Sequence, residues 1–140
     1  MKNLFVLFIS CFALLSNVTA QESTEELIVE IQNLKSDKGK LLVALYDSKS
    51  NWLGKSIMGE VSEIKNGKAQ VIFKDVPYGE YAMSSYQDEN ENNELDAGLF
   101  VIPKEPYASS RGAKGMFGPP KWNDAVFKVE IASTTEIIIY

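Results

Sequence analysis

The sequence predicts an all-β protein, folded as an antiparallel β-sandwich of about seven or eight strands. Apolar and polar residues alternate with a period of two along most of the chain after residue 25, which is typical of strands with one buried face. Gly, Asn and Pro recur between the alternating runs as turn signals. No run of helical length has its apolar residues at helical spacing. The 140 residues, 45% of them hydrophobic, predict one domain with one core.

The N-terminal 20 residues have the pattern of a secretory signal peptide. Met1 and Lys2 form a basic start, Leu4 to Leu15 is an apolar run, and Val18 to Ala20 is a small-residue cleavage site. The run is shorter than the roughly 20 residues that span a bilayer, and no other segment approaches that length. We therefore expect export to a periplasm or the cell exterior, with residues 1–20 removed and residues 21–140 forming the domain. Cleavage at this site removes Cys11, the one cysteine, whereas lipoprotein processing at Cys11 is the alternative.

The first two strands are predicted at residues 26–32 and 40–47. In the first, Leu27, Val29 and Ile31 occupy one face, and in the second every other residue from Leu41 does so. The segment 36–39, Ser-Asp-Lys-Gly, has turn composition. The pattern therefore predicts that the two strands form a hairpin.

The remaining strands are predicted at 57–65, 68–75, 79–87, 99–102, 125–131 and 135–140. Asn66-Gly67 is the favoured dipeptide for a type I′ turn between the third and fourth strands. Residues 76–79, Val-Pro-Tyr-Gly, mark another reversal, and residues 49–54 suit a short helical turn.

The charge of the chain excludes several classes of function. With 14 Lys and Arg against 19 Asp and Glu, the net charge is -5, which argues against nucleic acid as a partner because phosphate binding needs a basic face. The absence of His excludes Ser-His-Asp and Cys-His catalysis and His-ligated zinc or haem. Residues 75–103 contain seven acidic and no basic residues, so the negative charge is concentrated in one part of the chain.

The segment 88–96 has oxygen-bearing side chains at the spacing of a calcium-binding loop. Asp88, Asn90, Asn92 and Asp96 fall at positions 1, 3, 5 and 9, and Glu94 places a carbonyl at position 7. Ca²⁺ prefers six to eight such oxygens, at about 2.3 to 2.6 Å. We take these five residues as candidate ligands for Ca²⁺ or a similar hard cation.

Two positions of the segment depart from the EF-hand pattern. Asn93 stands at position 6, where Gly supplies a positive φ, and Leu99 stands at position 12, where a bidentate Glu is usual. We therefore expect weak affinity, on the order of 0.1 to 1 mM. The alternatives are an unoccupied acidic loop held by Asx turns, and an enzyme that uses Asp88 and Asp96 as acid and base on a glycan.

A long segment, residues 103–122, lacks any alternation and is rich in Pro and Gly. It carries four cations, Lys104, Arg111, Lys114 and Lys121, and several aromatic residues. One interpretation is a loop that binds an extracellular glycan or peptide, as in an adhesion module. The other is a crossover whose Phe117 and Trp122 plug the core and whose cations pair with the acidic loop.

Five motifs in series resemble the bacterial secreted family called domain of unknown function 2141. They are GKLLVALYD at 39–47, FKDVPYGEYA at 73–82, DENENNELD at 88–96, IPKE at 102–105 and FGPP at 117–120. The resemblance covers most of residues 21–140. It implies an exported protein with an Ig-like or transthyretin-like β-sandwich, similar to carboxypeptidase-regulatory-like domains, and no established activity.

The chain departs from that family's pattern at four positions. Gln87 replaces a usual His before the acidic segment, Asn93 replaces a usual Gly, and Pro106 and Ala108 replace expected glycines. The transthyretin-like hydrolases that act on ureide rings use histidines, so this chain does not resemble them. We therefore expect an exported, non-enzymatic protein without a tightly held cofactor, whose partner the sequence leaves open.

Overall fold

The computed structural model describes residues 24–98, 102–130 and 133–140. Within these ranges the chain forms eight strands, one 3₁₀ turn at Ser110–Gly112 and one short helix, α1, at Trp122–Ala125. The strands are β1 (Thr24–Gln32), β2 (Lys40–Tyr46), β3 (Met58–Glu63), β4 (Ala69–Pro77), β5 (Gly79–Asp88), β6 (Tyr107–Ser109), β7 (Phe127–Val129) and β8 (Ser133–Ile139). The predicted signal peptide and most of the strand predicted at 99–102 lie outside the described residues.

The strands form two sheets. One has the order β4-β1-β8, and the other has the order β3-β2-β5-β6, with β7 also paired to β5. Every pair is antiparallel except β1 and β8, which run parallel. The prediction of an all-β chain with seven or eight strands is confirmed, and its antiparallel character holds for all pairs but this one. None of the described helices is long and apolar enough to cross a membrane.

The core lies between the two sheets. Alternate residues of β1, Leu27, Val29 and Ile31, are no more than 1% exposed, as the alternation predicted. Buried residues of β2, β4, β5, β7 and β8 join them in one cluster. Because burial of a Leu, Val or Ile side chain contributes about 1.5 to 3 kcal/mol, these facing residues are the main force that holds the sheets together.

The predicted hairpin of the first two strands is wrong. β1 pairs with β4 and β8, whereas β2 pairs with β3 and β5, so the link 33–39 carries the chain from one sheet to the other. The apolar face of β1 meets that of β2 across the core, which buries both faces. Gly39 ends the link with φ of 71°, and its Cα lies so close to the Asp88 carbonyl that a Cβ has no room.

The Asn66-Gly67 turn is confirmed. Both residues have a positive φ, 54° and 68°, as a type I′ turn requires. The backbone amides of Asn66 and Gly67 each donate a hydrogen bond of 2.8 Å to the carboxylate of Asp37, which lies on the link 33–39. These bonds lower the pKa of Asp37. The turn joins β3 to β4, which belong to different sheets. Asp37 therefore connects two segments that each pass from one sheet to the other, the link 33–39 and this turn.

Three aromatic rings close one end of the sandwich. Trp52 packs edge-on against Tyr46 and Trp122, with ring centroids 5.1 Å and 6.1 Å apart, and its Nε1 donates a hydrogen bond of 2.8 Å to the Pro120 carbonyl. Trp122 is 9% exposed, so its predicted place in the core is confirmed. The same prediction is wrong for Phe117, which is 98% exposed, because the three rings already cover this end of the core.

The chain between residues 103 and 131 contains two further differences from the expectation. The strand predicted at 125–131 is confined to β7, because α1 takes up Trp122–Ala125. β6 was not predicted, and its three residues pair with β5 on the side away from β2. Ser110, fully buried, follows β6 and accepts a hydrogen bond of 2.9 Å from the Met83 amide, which continues the contact with β5.

Candidate metal centre

The acidic loop, residues 88–96, begins where β5 ends. Asp88 is the last residue of β5, lies opposite Lys40 of β2 and is completely buried. Beyond the loop, Ala97 bridges to Pro103, and the Gly98 amide donates a hydrogen bond of 2.8 Å to the Ile102 carbonyl. The loop is therefore anchored on both sides.

The carboxylate of Asp88 shapes the turn that follows it. Its Oδ1 accepts a hydrogen bond of 3.2 Å from the Asn92 amide, and its Oδ2 accepts one of 2.7 Å from the Asn93 amide. Asn93 has φ of 62°, so the sixth position of the loop has the left-handed backbone that Gly usually supplies in calcium-binding loops. Glu91 is also left-handed, with φ of 58°.

Asp96 lies beside the two asparagine side chains. Asn90 Nδ2 donates a hydrogen bond of 2.7 Å to Asp96 Oδ2, and Asn92 Nδ2 donates one of 3.2 Å to Asp96 Oδ1. The Oδ1 atoms of both asparagines instead accept backbone amides, of Asn92 and Glu94, as Asx turns do. The structure thus joins Asn90, Asn92 and Asp96 through their side chains, with the amide nitrogens facing Asp96, and links Asp88 to them through the Asn92 backbone amide.

Glu94, the fifth predicted ligand, was expected to contribute its backbone carbonyl rather than its carboxylate. Its side chain is exposed, and its backbone amide donates a hydrogen bond to Asn92 Oδ1. In the described ranges, no three Asp, Glu or Cys side chains lie together in a way that could hold a metal ion by themselves. A cation in this loop would therefore need amide, carbonyl and water oxygens beside the carboxylates.

Glu105 holds the two ends of the acidic loop together, and the sequence analysis missed it. Its side chain is 8% exposed. Oε1 accepts a hydrogen bond of 2.9 Å from the Glu89 amide, and Oε2 accepts one of 3.1 Å from the Asp96 amide. The signal available in the sequence was weak: Glu105 is the single acid of residues 103–122 and stands one residue before Pro106.

The ion pairs of the acidic loop come from the end of the link 33–39 and the first residue of β2. Lys38 pairs with Glu89 at 3.7 Å and Lys40 pairs with Glu91 at 3.1 Å, all partly exposed. The expectation that the cations of residues 103–122 pair with the acidic loop is wrong, because none of the ion pairs of the described residues joins the two segments. Exposed pairs of this kind contribute about 0 to 1 kcal/mol each.

Arg111, one of those cations, instead faces β8. Its backbone amide donates a hydrogen bond to the Glu136 carboxylate. Burial raises the pKa of Glu136, and the nearby Arg111 guanidinium and this hydrogen bond oppose the rise. Arg111 itself has φ of 57°, where the chain turns away from β6 into the exposed segment that follows.

The chain matches the family described as an uncharacterized protein conserved in bacteria, DUF2141, over residues 29–137. This match runs from the middle of β1 to β8 and includes the acidic loop. The chain belongs to DUF2141. The resemblance drawn from the five sequence motifs is thereby confirmed. The chain matches none of the curated proteins and none of the solved structures with which it was compared.

In this DUF2141 protein, Gln87 is buried next to the acidic loop and its side chain binds the link 33–39. Its Nε2 lies 3.2 Å from the Ser36 carbonyl, 3.0 Å from Ser36 Oγ and 2.7 Å from the Lys38 carbonyl, and donates to these acceptors. Its Oε1 is buried without a hydrogen-bond partner in the described structure. Because all three acceptors lie on the Nε2 side of the Gln87 amide, they determine the orientation of that amide group.

A second polar contact lies two residues earlier on β5. Ser85 is 2% exposed, and its hydroxyl is 2.7 Å from the Tyr140 hydroxyl. Burial raises the pKa of Tyr140, although the hydrogen bond to Ser85 opposes this. Ser85 and Gln87 thus make the inner face of β5 polar towards the acidic loop, where Tyr81 and Met83 make it apolar at the other end.

Proposed function

We propose that this protein is an exported, non-enzymatic β-sandwich module whose acidic loop binds Ca²⁺ or a similar hard cation weakly. One observation carries the proposal: the side chains of Asn90 and Asn92 both bond to the Asp96 carboxylate, and the Asn92 backbone amide donates to both Asp88 Oδ1 and Asn90 Oδ1. The cation would have a structural role, since it would neutralise the carboxylates and fix the loop.

The acidic loop has oxygen atoms that could coordinate a cation. A carboxylate has about four lone-pair positions, and Asp88 uses two of them for backbone amides. The side-chain amides of Asn90 and Asn92 now point their nitrogens at Asp96. A rotation of each amide by about 180° exchanges nitrogen and oxygen and places two amide oxygens beside the Asp96 carboxylate.

The rotation also limits the affinity. Each asparagine would give up the hydrogen bond that its Oδ1 accepts from the backbone. Only two carboxylates contribute, and the rest of the coordination sphere must come from amides, the Glu94 carbonyl and water. We therefore expect a dissociation constant on the order of 0.1 to 1 mM, the range of extracellular calcium modules.

The hydrogen bonds of the two aspartates favour a structural role over an enzymatic one. Both oxygens of Asp88 accept backbone amides in a buried position, and both oxygens of Asp96 accept side-chain amides. A general acid or base must reach the proton it transfers on a substrate, whereas these carboxylates are directed at their own loop. Export is supported by the signal-peptide pattern of residues 1–20.

A calcium titration of the melting temperature tests the proposal. At about 10 mM Ca²⁺, ten to a hundred times the expected dissociation constant, the fold gains about 1.4 to 2.7 kcal/mol. For a domain of this size that gain raises Tm by roughly 3 to 10 °C. We expect Asp96→Asn to abolish the shift and Mg²⁺, which demands stricter geometry, to give a smaller one.

Glu91→Gln is the matched control, because Glu91 belongs to the same loop but pairs with Lys40. It removes the same charge as Asp96→Asn and should keep the calcium shift. An unchanged Tm in calcium contradicts the proposal. Equal losses in Glu91→Gln and Asp96→Asn would mean that calcium only screens the negative charge of the loop.

A further inference from the structure

The segment 111–121 exposes two large apolar side chains side by side. Met116 is 87% exposed and Phe117 is 98% exposed. The adjacent Gly118 and the earlier Gly112 have no other part of the protein within 4 Å of the position that a Cβ would take. The segment therefore protrudes from the sandwich with its apolar residues outermost, where each loses about 1.5 to 3 kcal/mol of burial free energy.

Cations flank these two side chains in the sequence. Lys114 and Lys121 are exposed, and the chain from residue 106 to residue 123 contains no acidic residue, whereas Arg111 lies near the Glu136 carboxylate of β8. The segment packs on the turn 48–55 through the hydrogen bond from Trp52 to Pro120. That turn adds Lys49, Lys55 and the partly exposed Leu53, again without an acid, although Asp47 and Asp124 stand just beyond. We call residues 48–55 and 111–121 the cationic face.

The cationic face is remote from the acidic loop. Ala82 packs with Tyr46 and Trp122 beneath the cationic face, whereas Asp88 begins the acidic loop six residues further along the same strand. At about 3.3 Å per residue the two lie roughly 20 Å apart. Since charges more than about 8 Å apart in water are largely screened at physiological salt, the acidic loop does not neutralise these cations.

We propose that the cationic face docks on a lipid bilayer that contains anionic headgroups. Met116 and Phe117 enter the interfacial region, and Lys114 and Lys121 pair with headgroup phosphates. The acidic loop points away from the membrane, which fixes the orientation of the protein. This proposal does not depend on calcium binding by the acidic loop.

The shape and charge of the face favour a bilayer over the other occupants. Sites for glycans and other small ligands are concave, whereas Phe117 stands at the tip of a protrusion. Most glycans would leave the cations of the face unpaired. A fluid anionic surface accepts a protruding aromatic residue and satisfies the cations that flank it in the sequence, because its headgroups can rearrange.

Sedimentation with vesicles is the first test. The protein is produced from its full sequence in an exporting host, so that the wild type and every variant undergo the same N-terminal processing. We expect binding to vesicles of phosphatidylcholine with phosphatidylglycerol, weaker binding to phosphatidylcholine alone, and loss of binding at high salt. Phe117→Ser should weaken binding about tenfold or more.

Ile102→Ser is the matched control for Phe117→Ser, since Ile102 is 63% exposed beside the acidic loop. It should leave vesicle binding unchanged. For the charges, Lys114→Gln and Lys121→Gln should each weaken binding about fivefold, and Lys65→Gln, elsewhere on the surface, should not. Because these side chains are exposed, unchanged melting temperatures would show that the variants fold.

A tryptophan placed at the tip reports insertion directly. In Phe117→Trp, the added fluorescence relative to the wild type should shift to the blue with anionic vesicles. No binding to anionic vesicles, or equal binding by wild type and Phe117→Ser, overturns the proposal. So does a Phe117-dependent dimer or a Phe117-dependent complex with a glycan or acidic peptide in a protein that does not bind vesicles.

Discussion

Glu105 is a single side chain on which the shape of the acidic loop depends. Its two oxygens hold the amides of Glu89 and Asp96, which stand at opposite ends of the loop. Hydrogen bonds to a charged acceptor contribute about 1.5 to 3 kcal/mol, more than neutral ones. The loop is thus closed by a residue outside it, and the sequence pattern of residues 88–96 contains no sign of this contact.

We predict that Glu105→Gln destabilises the fold by about 1 to 3 kcal/mol. The new side-chain nitrogen must face one of the two backbone amides, so two donors meet in a nearly buried site. Urea denaturation measures the loss. Glu91→Gln, which removes an exposed ion-pair partner, should change stability by less than about 1 kcal/mol. Comparable losses in both variants would mean that Glu105 acts through its charge alone.

Tyr140 predicts how stability changes at alkaline pH. Its pKa is raised by burial, whereas an unfolded tyrosine ionises near pH 10. Above about pH 10 the unfolded chain therefore loses a proton that the folded protein keeps, and stability falls as pH rises, by up to about 1.4 kcal/mol per pH unit. Below that pH the contribution of Tyr140 is fully present.

We expect Tyr140→Phe to flatten this decline. Urea denaturation of both proteins between about pH 9 and pH 11 makes the comparison. Tyr78 and Tyr86, whose pKa values are also raised, are present in both proteins, so their effects cancel in the difference. Parallel stability curves for the two proteins would show that the Tyr140 hydroxyl ionises equally in the folded and unfolded states.

The link 33–39 is the element that organises one end of the sandwich. Asp37 binds the turn between β3 and β4, Ser36 and Lys38 receive the side chain of Gln87, and Gly39 lies against Asp88. The link 33–39 therefore contacts three other parts of the chain. They are the turn between β3 and β4, the end of β5 and the start of the acidic loop. The link reverses the chain direction, as its turn composition indicated, but it connects two sheets rather than two strands of one sheet.

We predict that Gly67→Ala destabilises the turn that Asp37 holds. Gly67 has φ of 68°, and a Cβ there would lie 2.6 Å from the Leu34 carbonyl oxygen. The left-handed backbone alone costs an alanine about 1 to 2 kcal/mol, and the contact adds to this. Gly118→Ala, at a position with open space around it, is the control for thermal unfolding and should have no measurable cost. Equal Tm values for the two variants would contradict the prediction.

Strands were easier to predict than their partners, for a physical reason. Alternation along β1 and β2 states which side chains are buried, and the burial of Leu27, Val29 and Ile31 confirms it. The alternation does not indicate which strands pair with each other, because strands pair through backbone hydrogen bonds that do not depend on the identity of the side chains. The contacts that link Asp88, Asn90, Asn92 and Asp96 followed from local spacing, whereas Glu105 came from a distant segment that spacing cannot reveal.

At the scale of the whole molecule, the described chain begins and ends in the same sheet. β1 is the central strand of its sheet, with β4 on one side and the parallel β8 on the other. Parallel neighbours need a long connection, and here the whole second sheet lies between them in sequence. The buried Ile138 of β8 belongs to the same core cluster as the apolar residues of β1 and of the second sheet.

The register of β8 predicts sharply different effects of two neighbouring substitutions. Ile138 is fully buried opposite Ile31, whereas Ile139 is 54% exposed. Ile138→Ala should therefore destabilise the protein by about 2 to 5 kcal/mol, and Ile139→Ala by less than about 1 kcal/mol. Urea denaturation measures both changes. Because a strand shifted by one residue exchanges its two faces, a larger loss for Ile139→Ala would mean that β8 pairs with β1 in the other register.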